Sequence, residues 1–312
     1  MNDRTLRISN YKPEDVKKLK ALRSRARPGL GTSCMHPVDE ILRDLHRPNH
    51  CPERDLFLAE LENTIAGYMD VIREHVIKRA VLNYLVRPGE QFGYVFRELL
   101  RHCVKRSEDL GLLYIHINVP EPDITTREML ADEGFKFVKR YTEMVINIGG
   151  RDIGSEILSG TCLRNLEKGE EDRLRDIQNK AFMGTWGFNP NSLEDIIHRM
   201  KQADTSPEDV ILCLQGHKPV AYCWTVLCQG SRDRRENRAR IHMLGVAPEF
   251  RGKGMGRAIL LAGLRHLKNK GFDCVELTCD TENLVALSLY RKIGFRGHSA
   301  SLWYEKKTGQ PS

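Results

Sequence analysis

The sequence contains no apolar run approaching the roughly 20 residues of a membrane-spanning helix. Its first residues, MNDRTLRISNYK, hold no apolar stretch like that of a signal peptide. The expectation is a cytoplasmic protein without a membrane partner. No Cys-x-x-Cys pair occurs among the nine cysteines, and an odd number suits a full disulfide framework poorly. Several fall in apparent strands (Cys213, Cys223, Cys274), so they read as reduced, mostly buried small hydrophobes. His46, His50 and Cys51 stand close together, but Pro48 breaks any helix that would bring them onto one face, and no metal site is expected. Helix-turn-helix, zinc and RNP-type patterns are absent, so no nucleic-acid partner is expected despite the net charge of +7.

What is present describes a globular chain. Its 312 residues suffice for two ordinary domains with separate cores. Contents of 40% hydrophobic and 29% charged residues fit that class. The stretch Met243 to Arg257, MLGVAPEFRGKGMGR, reads as the end of a strand (Ile241 to Val246), a sharp exit at Pro248, and a glycine-rich loop feeding a helix. Gly252, Gly254 and Gly256 alternate, which lets the backbone curl and aim successive N–H groups at one point. The helix adds unpaired N–H groups and the positive end of its dipole, and Arg251, Lys253 and Arg257 add full charges. Such a cradle suits a pyrophosphate. A Walker loop would need Ser or Thr after Gly252-Lys253, and the Rossmann fingerprint would need its third glycine one place later. A surface loop capped by a helix is the plainer alternative.

Downstream residues favour the cradle. Residues 244 to 296 resemble the GCN5-related N-acetyltransferase (GNAT) family. Its motif Arg/Gln-x-x-Gly-x-Gly/Ala is matched by Arg251-Gly252-Lys253-Gly254-Met255-Gly256. Its second motif is matched by Asn283, Leu289-Tyr290 and Gly294-Phe295. The resemblance implies acetyl-CoA as cofactor, a small-molecule or peptide amine as acceptor, and direct transfer without an acyl-enzyme. It places the pantetheine beside Leu244, Gly245 and Val246, with the Val246 N–H as oxyanion donor. The phosphates would lie on Arg251, Gly252, Lys253, Gly254, Met255, Gly256 and Arg257, and Asn283 would hold the cofactor. Tyr290 would be the general acid, since an ordinary pKa near 10 keeps it protonated at neutral pH. Members of the family often carry a carboxylate base on the central strand. Here Arg240, His242 and Leu244 are expected to alternate on one face with no acid among them, which leaves His242, Glu276 or an already neutral amine. The arginines of residues 232–240 form either a solvated loop or a selector of acidic acceptors.

The order of elements repeats. Pro88 and Pro248 are 160 positions apart, as are Gly134 and Gly294. The fold expected is α/β: two tandem GNAT-like units, each a mixed, mostly antiparallel central sheet flanked by helices. Residues 1–150 would form a degenerate, non-catalytic unit and residues 160–312 the catalytic one. Counted back by 160, Tyr290 becomes Leu130, Asn283 becomes Asp123, and the loop GEQFGY after Pro88 lacks the alternating glycines. The competing reading is a non-catalytic acetyl-CoA-binding sensor or scaffold. Nothing in the sequence indicates an oligomeric state.

Overall fold

A computed structural model of the chain describes residues 6–25, 37–156, 158–202, 204–228 and 237–309. The chain forms two compact units: unit 1 is Met1–Tyr141 with Ser299–Ser312, and unit 2 is Thr142–His298. In order, unit 1 carries β1 (Leu6–Asn10), α1 (Val16–Arg25), α2 (Pro37–Asp44), α3 (Pro52–Asp55), β2 (Leu56–Leu61), β3 (Thr64–Glu74), β4 (Arg79–Val86), α4 (Phe92–Asp109), β5 (Tyr114–Pro120) and α5 (Ile124–Asp132). The strand β6 (Lys136–Asn147) leads into unit 2, with β7 (Cys162–Asn165), α6 (Glu171–Phe182), α7 (Leu193–Met200), β8 (Val210–Gln215), β9 (Lys218–Leu227), β10 (Arg238–Val246), α8 (Met255–Asn269), β11 (Cys274–Asp280) and α9 (Leu284–Ile293). The last strand, β12 (Arg296–Lys307), leads back into unit 1.

Each unit is a mixed sheet between two helical layers. In unit 1 the strands run β1-β2-β3-β4-β5-β12, with only β4 and β5 parallel. On one face α4 supplies Val95, Phe96, Leu99, Leu100 and Cys103 at helical spacing, and on the other α1 and α2 supply Leu19, Leu22, Val38 and Ile41. In unit 2 the order is β6-β11-β10-β9-β8-β7, with β10 and β11 parallel. Helices α8 and α9 cover one face, and α6 and α7 cover the other. No helix among the described residues is long and apolar enough to cross a membrane.

The duplication is visible in the element boundaries. β5 and β11, α5 and α9, and β6 and β12 each begin 160 positions apart. Asp123 and Asn283, also 160 apart, cap α5 and α9 alike: Asp123 Oδ1 accepts from Thr126 N and Asn283 Oδ1 from Ala286 N, both at 3.1 Å. The folded units nevertheless divide the chain differently from the repeat. Their boundary falls inside β6 rather than at residues 150–160, and Ser301–Lys307 of β12 pair with β5 of unit 1. Both strands begin well before the alternating part of their sequence. Their leading halves, KFVKRY and RGHSAS, carry too many polar residues to show a strand's alternation.

Six cysteines (Cys51, Cys103, Cys162, Cys213, Cys223 and Cys279) are free thiols, four of them buried. Cys228 is disulfide-bonded, against the expectation that all are reduced.

Two contacts fix unit 2 around β10. Helix α6 lies so close that a Cβ on Gly245 would stand 2.6 Å from Tyr222 Cε1 and 2.7 Å from Ala181 Cβ. Asp209, 1% exposed, ties the end of α8 to the sheet: His266 Nε2 and Lys270 Nζ lie 3.0 and 2.5 Å from its Oδ1, and Ser206 donates to Oδ2 at 2.8 Å. Burial alone would raise its pKa, but these hydrogen bonds prevail and hold it at about 2, below the usual 3.8.

Two predictions follow from this packing. Gly245→Ala is expected to lower stability by about 1 to 3 kcal/mol through overpacking, read from urea unfolding. Asp209→Asn is expected to cost about 2 kcal/mol at pH 7. Because the folded-state pKa is depressed, that contribution is complete above pH 3.8 and is lost as pH falls towards 2. The gap between wild type and variant should narrow over that window, and a gap independent of pH would remove the charge from the explanation.

Candidate active site

The site is built at the point where β10 leaves β11. Their parallel pairing covers only Arg238↔Cys274, Ala239↔Val275 and Arg240↔Glu276, although β11 continues to Asp280. On its other side β10 stays paired with β9 to Val246. The bond from Ala247 N to Val220 O sets the alternation of that antiparallel ladder, so Val246 turns its N–H away from β9 and towards the gap. The Val246 carbonyl is held by Arg251 Nε at 3.2 Å.

A β-bulge corrects the expected face of the strand. Ile241 opposes Thr225 but Met243 opposes Trp224, so His242 is the extra residue. The bulge reverses the alternation after it. Arg240 and His242 stay on one face, where the His242 ring stands edge-on to Trp224 at 5.3 Å. Leu244 and Val246 move to the other face and pack with α8 and α9. His242 and Leu244 therefore do not share a face, as simple alternation predicted.

Tyr290 of α9 lies on the Leu244 side, 8% exposed, its ring 5.9 Å from Phe295. Burial pushes its pKa up, with further upward contributions from Cys279 of β11 and Cys223 of β9. Cys223 is opposite Leu244, and both share one core cluster with Cys279 and Tyr290 on this face of the sheet. No group among the described residues accepts a hydrogen bond from its hydroxyl. Burial also pushes the Cys223 and Cys279 thiols up to about 12, so neither is a thiolate at neutral pH.

Beyond Val246 the chain makes a short 3-10 turn, Pro248–Phe250, and enters the glycine loop. Gly252 and Gly254 have φ of 74° and 83°, the left-handed region that favours glycine. The N–H groups of Gly252, Lys253, Gly254, Met255 and Gly256 find no acceptor among the described residues; the next, Arg257 N, donates to Gly254 O at 3.0 Å. These five consecutive open donors span the loop and the first two residues of a 15-residue helix. A run of donors of this kind has the chemistry to accept an anion.

The charged residues are less free than the sequence implied. Arg251 donates to the carbonyls of Val246 and Ala181, the latter at 2.6 Å, and so ties the loop to α6. Lys253 Nζ stands 5.4 Å from the centre of the Phe250 ring. Arg257 Nε is 3.1 Å from Glu156 Oε2. Asn283 uses its side-chain oxygen as the cap of α9.

Sequence reasoning missed Glu143. This carboxylate comes from β6 and forms a two-pronged ion pair with Arg240 (3.1 and 3.0 Å), while Thr278 Oγ1 donates to it at 2.7 Å. Glu276, a candidate base, is likewise held by Arg238. Residues 229–236, with most of the arginine-rich loop, lie outside the described residues.

Residues 171–295 match the sequence profile of the acetyltransferase (GNAT) family. The chain is 29% identical over 265 residues to a mycothiol acetyltransferase of Stackebrandtia nassauensis, covering 82% of this chain and 83% of that one. It is 25% identical over 298 residues to that of Actinosynnema mirum, covering 94% and 96%. Two solved structures share the fold: a GCN5-related N-acetyltransferase from Sphaerobacter thermophilus (TM-score 0.76, 18% identity, 98% and 96% covered) and a tandem GNAT protein from the clavulanic acid biosynthesis pathway (TM-score 0.75, 14% identity, 99% and 100% covered). Residues 171–295 thus match the GNAT acetyltransferases, and the whole chain is similar in sequence to mycothiol acetyltransferases and in fold to a tandem GNAT protein.

Proposed function

We propose that unit 2 binds acetyl-CoA and moves its acetyl group to a primary amine of a small molecule or peptide by direct attack. The observation that carries this reading is the continuity of three features: five open N–H groups at the start of α8, an unpaired β10 edge, and Tyr290 on the same face of the sheet. The cofactor fits them in order. The donors at Gly252 to Gly256 would hold its phosphates, and the unpaired edge of β10 would bond its pantetheine amides. When bound it supplies a thioester carbonyl and a thiol leaving group.

The residues of the chain do the rest. The Val246 N–H donates to the carbonyl oxygen as negative charge develops there. Tyr290, whose raised pKa keeps it protonated, donates to the departing sulfur. His242 opens on the opposite face of β10 and takes the amine proton, while the carboxylates of Glu143 and Glu276 remain in ion pairs. The protonated Cys223 and Cys279 favour direct transfer over an acyl-cysteine. The name carried by the relatives supports a small-molecule acceptor.

Unit 1 is the non-catalytic partner in this reading. Its β4–β5 pairing also stops early, at Leu82↔Ile117. There, however, Tyr84 replaces Leu244 and meets Phe96 edge-on at 5.1 Å, with Phe92 stacked on Phe96 at 6.0 Å. The fully buried Leu130 stands where Tyr290 would be. Aromatic packing fills the opening, and Phe92 N is already bonded to Gly89 O at 3.0 Å.

The test is Tyr290→Phe. It is expected to keep the acetyl-CoA affinity measured by calorimetry while slowing acetylation of a panel of amines by about 10²- to 10⁴-fold. Unchanged turnover would remove Tyr290 as the acid. Cofactor binding by the wild type with no turnover on any amine would favour a sensor.

A further inference from the structure

The three cations of the phosphate loop have different obligations. Arg251 is committed to two backbone carbonyls, and Lys253 rests over an aromatic ring. Arg257, in the first turn of α8, is the cation whose present partner is an acid, the carboxylate of Glu156. That partner is poorly satisfied. Glu156 Oε2 is buried and makes no hydrogen bond of good geometry, although it lies 3.1 Å from Arg257 Nε. The Arg257 and Glu156 side chains are 46% and 43% exposed, so the pair is weak and readily exchanged for a better partner. Two residues on, the chain is anchored beside the glycine loop. Leu158 packs on the unit 2 core, its carbonyl accepts from Thr161 N and Oγ1 at 3.0 and 2.6 Å, and its side chain reaches within 3.5 Å of the Cβ position of Gly254. An anionic group is thus fixed at the rim of five unfilled N–H donors.

We infer that Glu156 is an internal competitor for the phosphate groups of the cofactor: it occupies Arg257 in the free protein, is displaced when those phosphates bind, and returns as they leave. The inference rests on the cofactor reading above. A phosphate seated on the loop is a better partner for Arg257, since it also satisfies the open N–H groups. Its approach breaks the Glu156–Arg257 pair and sets a carboxylate against a phosphate. Cofactor affinity is therefore lower than the cradle alone would give, and release of the coenzyme A product is faster, a step that limits turnover in many enzymes.

The experiment titrates coenzyme A into the full chain, Glu156→Gln, Arg257→Gln and the double variant, at low and high salt. Glu156→Gln is expected to bind roughly three- to tenfold tighter, somewhat above the worth of an exposed ion pair because a repulsion is also removed. The gain should shrink as salt rises and disappear in the Arg257→Gln background. A Glu156 of merely structural importance would weaken binding when replaced, not tighten it. Wild-type binding with no gain in Glu156→Gln, or an equal gain without Arg257, overturns the competitor and leaves the cofactor reading intact. A wild type that binds no coenzyme A overturns both.

Discussion

Parallel pairing between β10 and β11 lasts for three residues, and the functional end of unit 2 depends on where it stops. An interior strand edge with unpaired N–H and C=O groups is costly unless something else bonds it. Unit 2 keeps that edge open beyond Arg240. The bulge at His242 works with it: one extra residue sends Leu244 and Val246 to the α8 and α9 face and leaves His242 on the other. An acid and a base can then address one gap from opposite faces of the sheet. Unit 1 shows the same early stop with the opposite solution, in which Tyr84, Phe92 and Phe96 pack the opening shut.

Charge is arranged by similar logic. The site carries many ionic side chains, yet the arginines and acids along β10, β11 and β6 neutralise one another: Arg238 with Glu276, Arg240 with Glu143. Breaking one member of such a half-buried pair strands the other. What remains open is backbone. The five N–H groups at the start of α8 are fixed by the left-handed glycines and the first turn of the helix, so they do not need to be reoriented when an anion arrives.

Local features were legible in the sequence. The glycine loop, the helix after it and the 160-residue repeat all follow from residue chemistry at short range. Long-range features were not. Whether a strand bulges at His242 depends on its register with β9, which no spacing reveals. Glu143 sits in YTEMVI as an ordinary polar interruption, and only the placement of β6 in unit 2 brings it to Arg240. The leading halves of β6 and β12 were hidden by polar residues for the same reason: their strand character comes from partners, not from alternation. Arg257 looked like a free phosphate ligand because Glu156 lies 101 positions earlier in the chain.

The central claim is that the backbone between Gly252 and Gly256 receives the cofactor phosphates. Amide hydrogen exchange, resolved by residue and measured with and without acetyl-CoA, addresses it directly. The account predicts strong protection of those five amides and of Val246 on binding, with no change in the corresponding loop of unit 1, Gly89 to Gly93. Binding that leaves Gly252 to Gly256 exchanging freely, or that protects Gly89 to Gly93 instead, would contradict it.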